Sequence, residues 1–226
     1  MKNFIVRTIT GVLFVAAIVT CFLRPQAMIL LFALVTGLTI WEFTGLVNER
    51  ENVTVNRFIS TVAGVYFFFA MTYFCSDLYG GAAKSVVFIP YLVTIIYLLV
   101  AELYLKQADP IQDWAYTMLA QMYIALPFSL LNVLAFTATK NGLVTFNTLL
   151  PLSVFVFLWV NDSGAYCVGS LLGHHKLFPR ISPGKSWEGS IGGAFFVLVV
   201  AFAISYYLAL YSNTYLLQSM VSIAGW

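Results

Sequence analysis

Charge is what this sequence has least of. Asp, Glu, Lys and Arg make up 9% of its 226 residues, against about 25% in a soluble domain. With 61% hydrophobic residues and a mean hydropathy of +0.91, that shortage excludes a soluble globular chain. No soluble fold of this size has interior enough to hide so much apolar surface. An excess of one sign is missing too: the formal net charge of +2 is too small for a nucleic-acid binder. Cysteine is scarce, with only Cys21, Cys75 and Cys167 and no C-x-x-C spacing. That excludes a disulfide framework and leaves the three as small packed hydrophobes. There is no soluble stretch of domain length, no long linker and no low-complexity tail.

What is there is a series of apolar runs. A bilayer core takes about 20 apolar residues of helix. Runs of that kind lie at Ile5–Leu23, Ala27–Val47, Phe58–Phe74, Val86–Leu105, Trp114–Phe136, Leu149–Leu172 and Ile191–Tyr211, and an eighth begins near Thr214. Turn chemistry separates them at Arg24-Pro25, Asn48 to Asn52, Gly80-Gly81, Asp109-Pro110 and Lys140-Asn141-Gly142. The expected fold is all-α: a polytopic transmembrane helical bundle of about seven complete spans plus the start of an eighth. It is expected to form a single integral membrane domain over residues 1–226, with N-terminal helices in 1–85 and the front part of a catalytic helical region in 86–226. Lys2 and Arg7 give the first span a basic start, but no small-x-small cleavage site precedes Arg24-Pro25, so it reads as an uncleaved helix. Thr214–Trp226 is apolar and too short to cross a bilayer, so the sequence reads as truncated.

Basic residues orient the bundle. With the N-terminus in the cytoplasm, the inner segments hold eight: Lys2, Arg7, Arg50, Arg57, Lys106, Lys176, Arg180 and Lys185. The outer loops hold three: Arg24, Lys84 and Lys140. This positive-inside bias puts the loop after the sixth span in the cytoplasm, within reach of nucleotides.

The polar groups are gathered near that loop. Trp159 to Gly193 holds Asn161, Asp162, Lys176, Arg180, Lys185 and Glu188 with a run of Gly, Ser and Pro. Clustered ionisable groups beside hydrophobic spans mark a functional site. Gly184-Lys185-Ser186 looks like the end of a P-loop, but Pro179 stands where that motif needs glycine and no soluble strand precedes it. The ingredients still suit phosphate. Lys185 offers a point charge, Ser182 and Ser186 offer hydroxyls, and Gly184 lets backbone approach closely. A helix starting near Trp187 or Glu188 would present free N–H groups, and Arg180 adds a fork for phosphate oxygens.

Asp162 sits beside Asn161 at the cytoplasmic end of the sixth span. A carboxylate there is costly unless paired or metal-bound. Two readings stand: it holds Mg²⁺ against a phosphate substrate, or it pairs with Lys or Arg to shape the loop. Glu188 either answers the helix dipole or orients Lys185 or a metal-bound water. His174-His175 do not share a helix face and have no third ligand at suitable spacing, so they read as loop or headgroup contacts. Glu42, in Trp41-Glu42-Phe43, and Glu102 read as snorkelling carboxylates near the inner ends of their spans. Gly169-xxx-Gly173 and Gly189-xxx-Gly193 have the spacing for close helix packing.

Asn161-Asp162-Ser163-Gly164-Ala165-Tyr166, then Gly169 and Gly173, then Pro179 through Gly189 (PRISPGKSWEG) resemble the phosphatidate cytidylyltransferase family, also called CDP-diacylglycerol synthases. The resemblance is dense over this stretch and looser over the hydrophobic layout and Trp41-Glu42-Phe43. It implies a Mg²⁺-dependent reaction in which CTP and phosphatidate give CDP-diacylglycerol and pyrophosphate. It also implies roles. Lys185 and Arg180 would neutralise phosphates, and Ser182, Ser186 and the following helix start would cradle them. Asp162 would hold Mg²⁺, with Asn161 and Glu188 in support. The family carries a second, more C-terminal motif whose aspartates are better metal candidates; nothing like it occurs before Trp226, so this chain alone is expected to be inactive if truncated.

Three other readings stand beside this one: a CTP-dependent polyprenol or lipid kinase, a multi-pass transporter and a structural membrane subunit. Against a transporter, the charges gather at the inner surface and no internal repeat pairs broken helices. Expected partners are CTP, phosphatidate and membrane lipids, with no nucleic acid; a homodimer stays open. The expected location is a bacterial-type inner membrane with the site facing the cytoplasm.

Overall fold

The computed structural model describes the backbone of residues 2–76, 84–105, 107–138 and 143–224, and the side chains of residue 6 and residues 9–76, 84–105, 107–138 and 143–207. The predicted breaks at Gly80-Gly81 and Lys140-Asn141-Gly142 lie outside the described residues, as do Lys106 and Trp226. The chain forms two compact units, Met1–Leu152 and Ser153–Trp226.

The first unit begins with α1 (Lys2–Phe22), α2 (Pro25–Val47) and α3 (Arg57–Ser76). A 3₁₀ turn at Lys84–Phe88 leads into α4 (Ile89–Tyr104). Then come α5 (Pro110–Leu119), a π-helical turn at Ala120–Ala125 and α6 (Leu126–Ala135). Prolines mark the starts of α2, α4 and α5, where the missing N–H has no intrahelical partner to lose. Asp109 caps α5 by accepting the Gln112 backbone N–H at 3.1 Å. That bond, more than any other cause, holds its carboxyl below the ordinary carboxylate range, so the cap is intact at neutral pH and fails only as acid protonates it. The π turn falls just before Pro127, which cannot donate its helical hydrogen bond. An antiparallel hairpin, β1 (Phe136–Ala138) and β2 (Val144–Phe146), follows α6.

Lipid offers nothing to a polar group, so buried ones must pair inside the bundle. The Thr36 and Thr44 hydroxyls donate to the Phe32 and Ile40 carbonyls at 2.6 and 2.7 Å. Gln121 Nε2 donates to the Ser60 carbonyl at 2.9 Å, and the Thr72 hydroxyl to Asn132 Oδ1 at 2.9 Å. Around these, Ile40 packs with Ala120, Ile124 and Ala125. The turn after α2 is tied by Asn48, whose side chain donates to the Val55 carbonyl at 2.9 Å and accepts its N–H at 2.8 Å. Glu102 does not snorkel as its sequence position suggested. It is 4% exposed on α4, because α4 packs on α5 in the bundle.

The second unit holds α7 (Leu149–Leu172) from Ser153 onward, a hairpin of β3 (Lys176–Phe178) and β4 (Ser182–Ser186), and α8 (Trp187–Ala224). Among the described residues, six helical segments are long and apolar enough to cross a membrane, and Ile9–Phe22 is a shorter apolar helix. The chain is a multi-pass membrane protein with an all-α bundle fold, carrying two small hairpins that periodicity did not suggest. The run near Thr214 does not begin a separate span: α8 continues through it to Ala224. No Gly or Pro lies between Ala194 and Ala224 to break the helix, and Ser212-Asn213 is too weak a signal to stop it.

Candidate active site

The site is built on two neighbouring stripes of α7. Asn161, Ala165, Gly169 and Gly173 recur every four residues, and Asp162, Tyr166 and Ser170 recur beside them. The first stripe meets α8 backbone to backbone. A Cβ on Gly189 would lie 2.8 Å from the Ala165 carbonyl oxygen and 3.1 Å from Gly169 Cα. A Cβ on Gly193 would lie 2.7 Å from Asn161 Oδ1. The small-residue spacings thus sit on the seam between the two helices, where glycine allows close approach.

Ser186 closes the end of this seam. It is 4% exposed, and Cβ atoms on Gly169, Gly173 and Gly189 would come within 3.2, 2.7 and 3.0 Å of its hydroxyl. Standing just before α8, it caps the helix by accepting the Gly189 N–H at 3.1 Å. Its carbonyl accepts the Ser190 hydroxyl at 3.1 Å. The Trp187 N–H is taken by the His175 carbonyl at 2.9 Å. The start of α8 is therefore largely satisfied by the protein's own groups.

The second stripe faces a cleft, and within it the Ser170 hydroxyl donates back to the Cys167 carbonyl at 3.0 Å. Asp162, Tyr166 and Ser170 line a cleft of about 460 Å³ together with Asn161, Gly184, Lys185, Ser186, Gly189 and Ser190. Asp162 from α7 and Lys185 from β4 are both exposed, and among the described residues neither makes an ion pair. The pairing of Asp162 with a basic residue, one of its two sequence readings, is thus not found there. Nor does Asp162 end its helix: α7 runs on to Leu172, about 15 Å further, and the cleft follows it for much of that length.

Other predicted residues lie elsewhere. Arg180 is exposed at the hairpin tip, in a shallow depression with Leu177, Phe178, Pro179 and Ile181. Ser182 pairs with Phe178 across the hairpin. Glu188, in the first turn of α8, faces His175: its Oε1 and Oε2 accept the His175 backbone N–H at 3.2 and 3.3 Å, and Oε1 lies 2.6 Å from His175 Nδ1. Glu188 thus fastens the hairpin's first strand to α8. Among the described residues no group of three His, Cys, Asp or Glu could hold a metal alone. Tyr166, Ser170 and Ser190 also line the cleft, and the four-residue period from Asp162 and from Ser186 points to all three.

Fastening by Glu188 has a measurable consequence. Glu188→Gln speeds hydrogen exchange at the His175 amide and along Lys176–Phe178 while leaving the middle of α7 protected. Unchanged exchange in the hairpin would show that the contact holds nothing in place.

A sequence profile described as "Cytidylyltransferase family" matches residues 5–225. The chain is 25% identical over 219 residues to a phosphatidate cytidylyltransferase of Staphylococcus aureus, covering 96% of this chain and 78% of that protein. It is 27% identical over 213 residues to the protein of that name from Staphylococcus haemolyticus, covering 94% and 76%. A shorter match to the Haemophilus influenzae phosphatidate cytidylyltransferase is 57% identical over 53 residues, which is 24% of this chain and 18% of that one.

Proposed function

The chain belongs to the cytidylyltransferase family, and from that premise we propose that the cleft beside Asp162 and Lys185 is where a cytidylyl group passes from CTP to phosphatidate. The protein is a nucleotidyltransferase of phospholipid biosynthesis, making CDP-diacylglycerol with release of pyrophosphate. The observation that carries the site assignment is a carboxylate and an ammonium, each without an ion-pair partner among the described residues, lining one cleft in the polar stretch of an apolar chain.

A phosphatidate oxygen attacks the α-phosphorus of CTP. As that bond forms, the bond from the α-phosphorus to the bridging oxygen breaks, and its electron pair leaves with pyrophosphate. The protein contributes position and charge. Lys185 neutralises phosphate oxygens at the β4 wall. Asp162 and the cleft hydroxyls would hold Mg²⁺, a hard cation that takes oxygen donors. When bound, Mg²⁺ supplies neutralisation of the charge on the leaving pyrophosphate. Asn161, with its Oδ1 against Gly193, positions α7 and the neighbouring Asp162. Ser186 shapes the cleft floor as the α8 cap. Arg180 attracts the anionic substrates from the hairpin tip, Ser182 offers them a hydroxyl, and Glu188 holds that hairpin to α8. The bias of basic residues supports an inner-membrane orientation with the cleft opening to the cytoplasm.

Asp162→Asn in the full-length protein tests the assignment. The residue is exposed and makes no ion pair among the described residues, so the variant folds, while cytidylyl transfer falls by about 10²-fold or more, the scale set by losing one preorganised charge. Undiminished transfer would remove Asp162 from the reaction. Offering phosphatidate beside a long-chain polyprenol tests the acceptor: only phosphatidate should be consumed with CTP.

A further inference from the structure

A second polar feature lies in the first unit, around the Trp41-Glu42-Phe43 stretch that the catalytic reading does not use. An open groove of about 640 Å³ runs along α2 and α3, lined by Leu30, Leu34, Gly37, Leu38, Trp41 and Val65. It shares Leu38 and Trp41 with a second cavity of about 510 Å³, where Glu42, Gly45, Glu49 and Arg57 join the lining. The apolar groove and the charged cavity are therefore one continuous surface. From Leu30 to Trp41, α2 rises about 16 Å, roughly the depth of one leaflet of a 30 Å bilayer core.

The charged end is built, not incidental. The Arg57 guanidinium lies over the Trp41 ring, 4.4 Å from its centroid, and Nη2 donates to the Trp41 carbonyl at 3.0 Å. Gly45 makes room: a Cβ there would lie 2.8 Å from Nη2. Arg57 Nε is buried without a hydrogen-bond partner, and among the described residues no carboxylate pairs with this guanidinium. Glu42 and Glu49 are exposed on the same cavity. One held cation and two carboxylates above an apolar groove call for a ligand with a phosphate, an ammonium and an acyl chain.

We propose that this surface holds a zwitterionic glycerophospholipid with a primary ammonium in its headgroup. An acyl chain lies on Gly37 between α2 and α3, the phosphate meets Arg57, and the ammonium meets Glu42 and Glu49. Phosphatidate is disfavoured, since it has no ammonium to answer the two glutamates. A quaternary ammonium is disfavoured because it has no N–H to donate to them. The bound lipid is distinct from the substrate, and its site stands whether or not the catalytic assignment does.

Native mass spectrometry of the full-length protein, released from membranes containing equal phosphatidylethanolamine, phosphatidylcholine and phosphatidylglycerol, tests this. The ethanolamine lipid is expected to be retained by about tenfold over the others, the scale of one or two charge-assisted hydrogen bonds. Gly37→Leu, which fills the groove, is expected to abolish retention. Glu42→Gln with Glu49→Gln alters only exposed side chains, so the fold survives; it is expected to keep a bound lipid but lose the preference. Equal retention of all three lipids, or a preference that survives the double variant, would mean annular lipid only and overturns the proposal. Displacement of the ethanolamine lipid by phosphatidate overturns it too, because the groove would then serve the substrate.

Discussion

Lys185→Ala in the full-length enzyme lowers cytidylyl transfer by about 10²–10³-fold, the loss that follows removal of one preorganised charge-stabilising group. Lys185 is exposed on the last strand before α8, lines the cleft and makes no ion pair among the described residues. Nothing in the fold rests on its ammonium, so the variant inserts and folds as the unaltered protein does. What it loses is positive charge where a triphosphate gathers negative charge during transfer. Lys185→Arg recovers only part of the rate, because a planar fork does not replace a compact point charge. Lys176→Ala is the matching control: it removes the same charge from β3 of the same hairpin, outside the cleft. Steady-state rates with varied CTP separate the cases. Equal losses for Lys176→Ala and Lys185→Ala would reduce the effect to general attraction and withdraw the assignment of Lys185.

Gly189→Ala is expected to damage the protein more broadly. The added Cβ would stand 2.8 Å from the Ala165 carbonyl oxygen, 3.0 Å from the Ser186 hydroxyl and 3.1 Å from Gly169 Cα. Two of these are backbone atoms of α7, which can yield only if the helix moves. The third is the hydroxyl that caps α8 through the Gly189 N–H. Overpacking of this kind costs about 1–3 kcal/mol, and loss of a serine cap costs about 1 kcal/mol more. The purified variant should therefore melt well below the parent and lose transfer, since the cleft lies along the displaced seam. Gly184→Ala offers the comparison: its Cβ would meet nothing within 4 Å, so its melting temperature should match the parent. If Gly189→Ala melted with the parent, the helices would have slack that the geometry denies.

Much of this was legible in the chain. Apolar runs bounded by Arg24-Pro25 and Asp109-Pro110 located the helices because a bilayer demands both length and a clean stop. The concentration of Asp162, Lys185 and their neighbours marked the site because charge is expensive beside lipid. Other features were not legible. The π turn before Pro127 and the two hairpins depend on hydrogen-bond partners several residues away. Glu102, which reads as a snorkelling carboxylate, is buried, because burial depends on which neighbour covers a helix face.

The membrane class, the helical layout, the polar stretch and the family that the motifs resemble can all be read along the chain. These follow from composition and local spacing, which need no knowledge of distant contacts. How the polar residues divide was settled by contacts between segments far apart in the chain. Asp162 and Lys185 line the cleft, Ser186 turns inward to cap α8, Glu188 turns to His175, and Arg180 stays at the hairpin tip. Side-chain chemistry made all five eligible to meet phosphate. Which of them face the cleft depends on the close approach of α7 and α8 at Gly169, Gly189 and Gly193, a relation between segments that no single segment encodes.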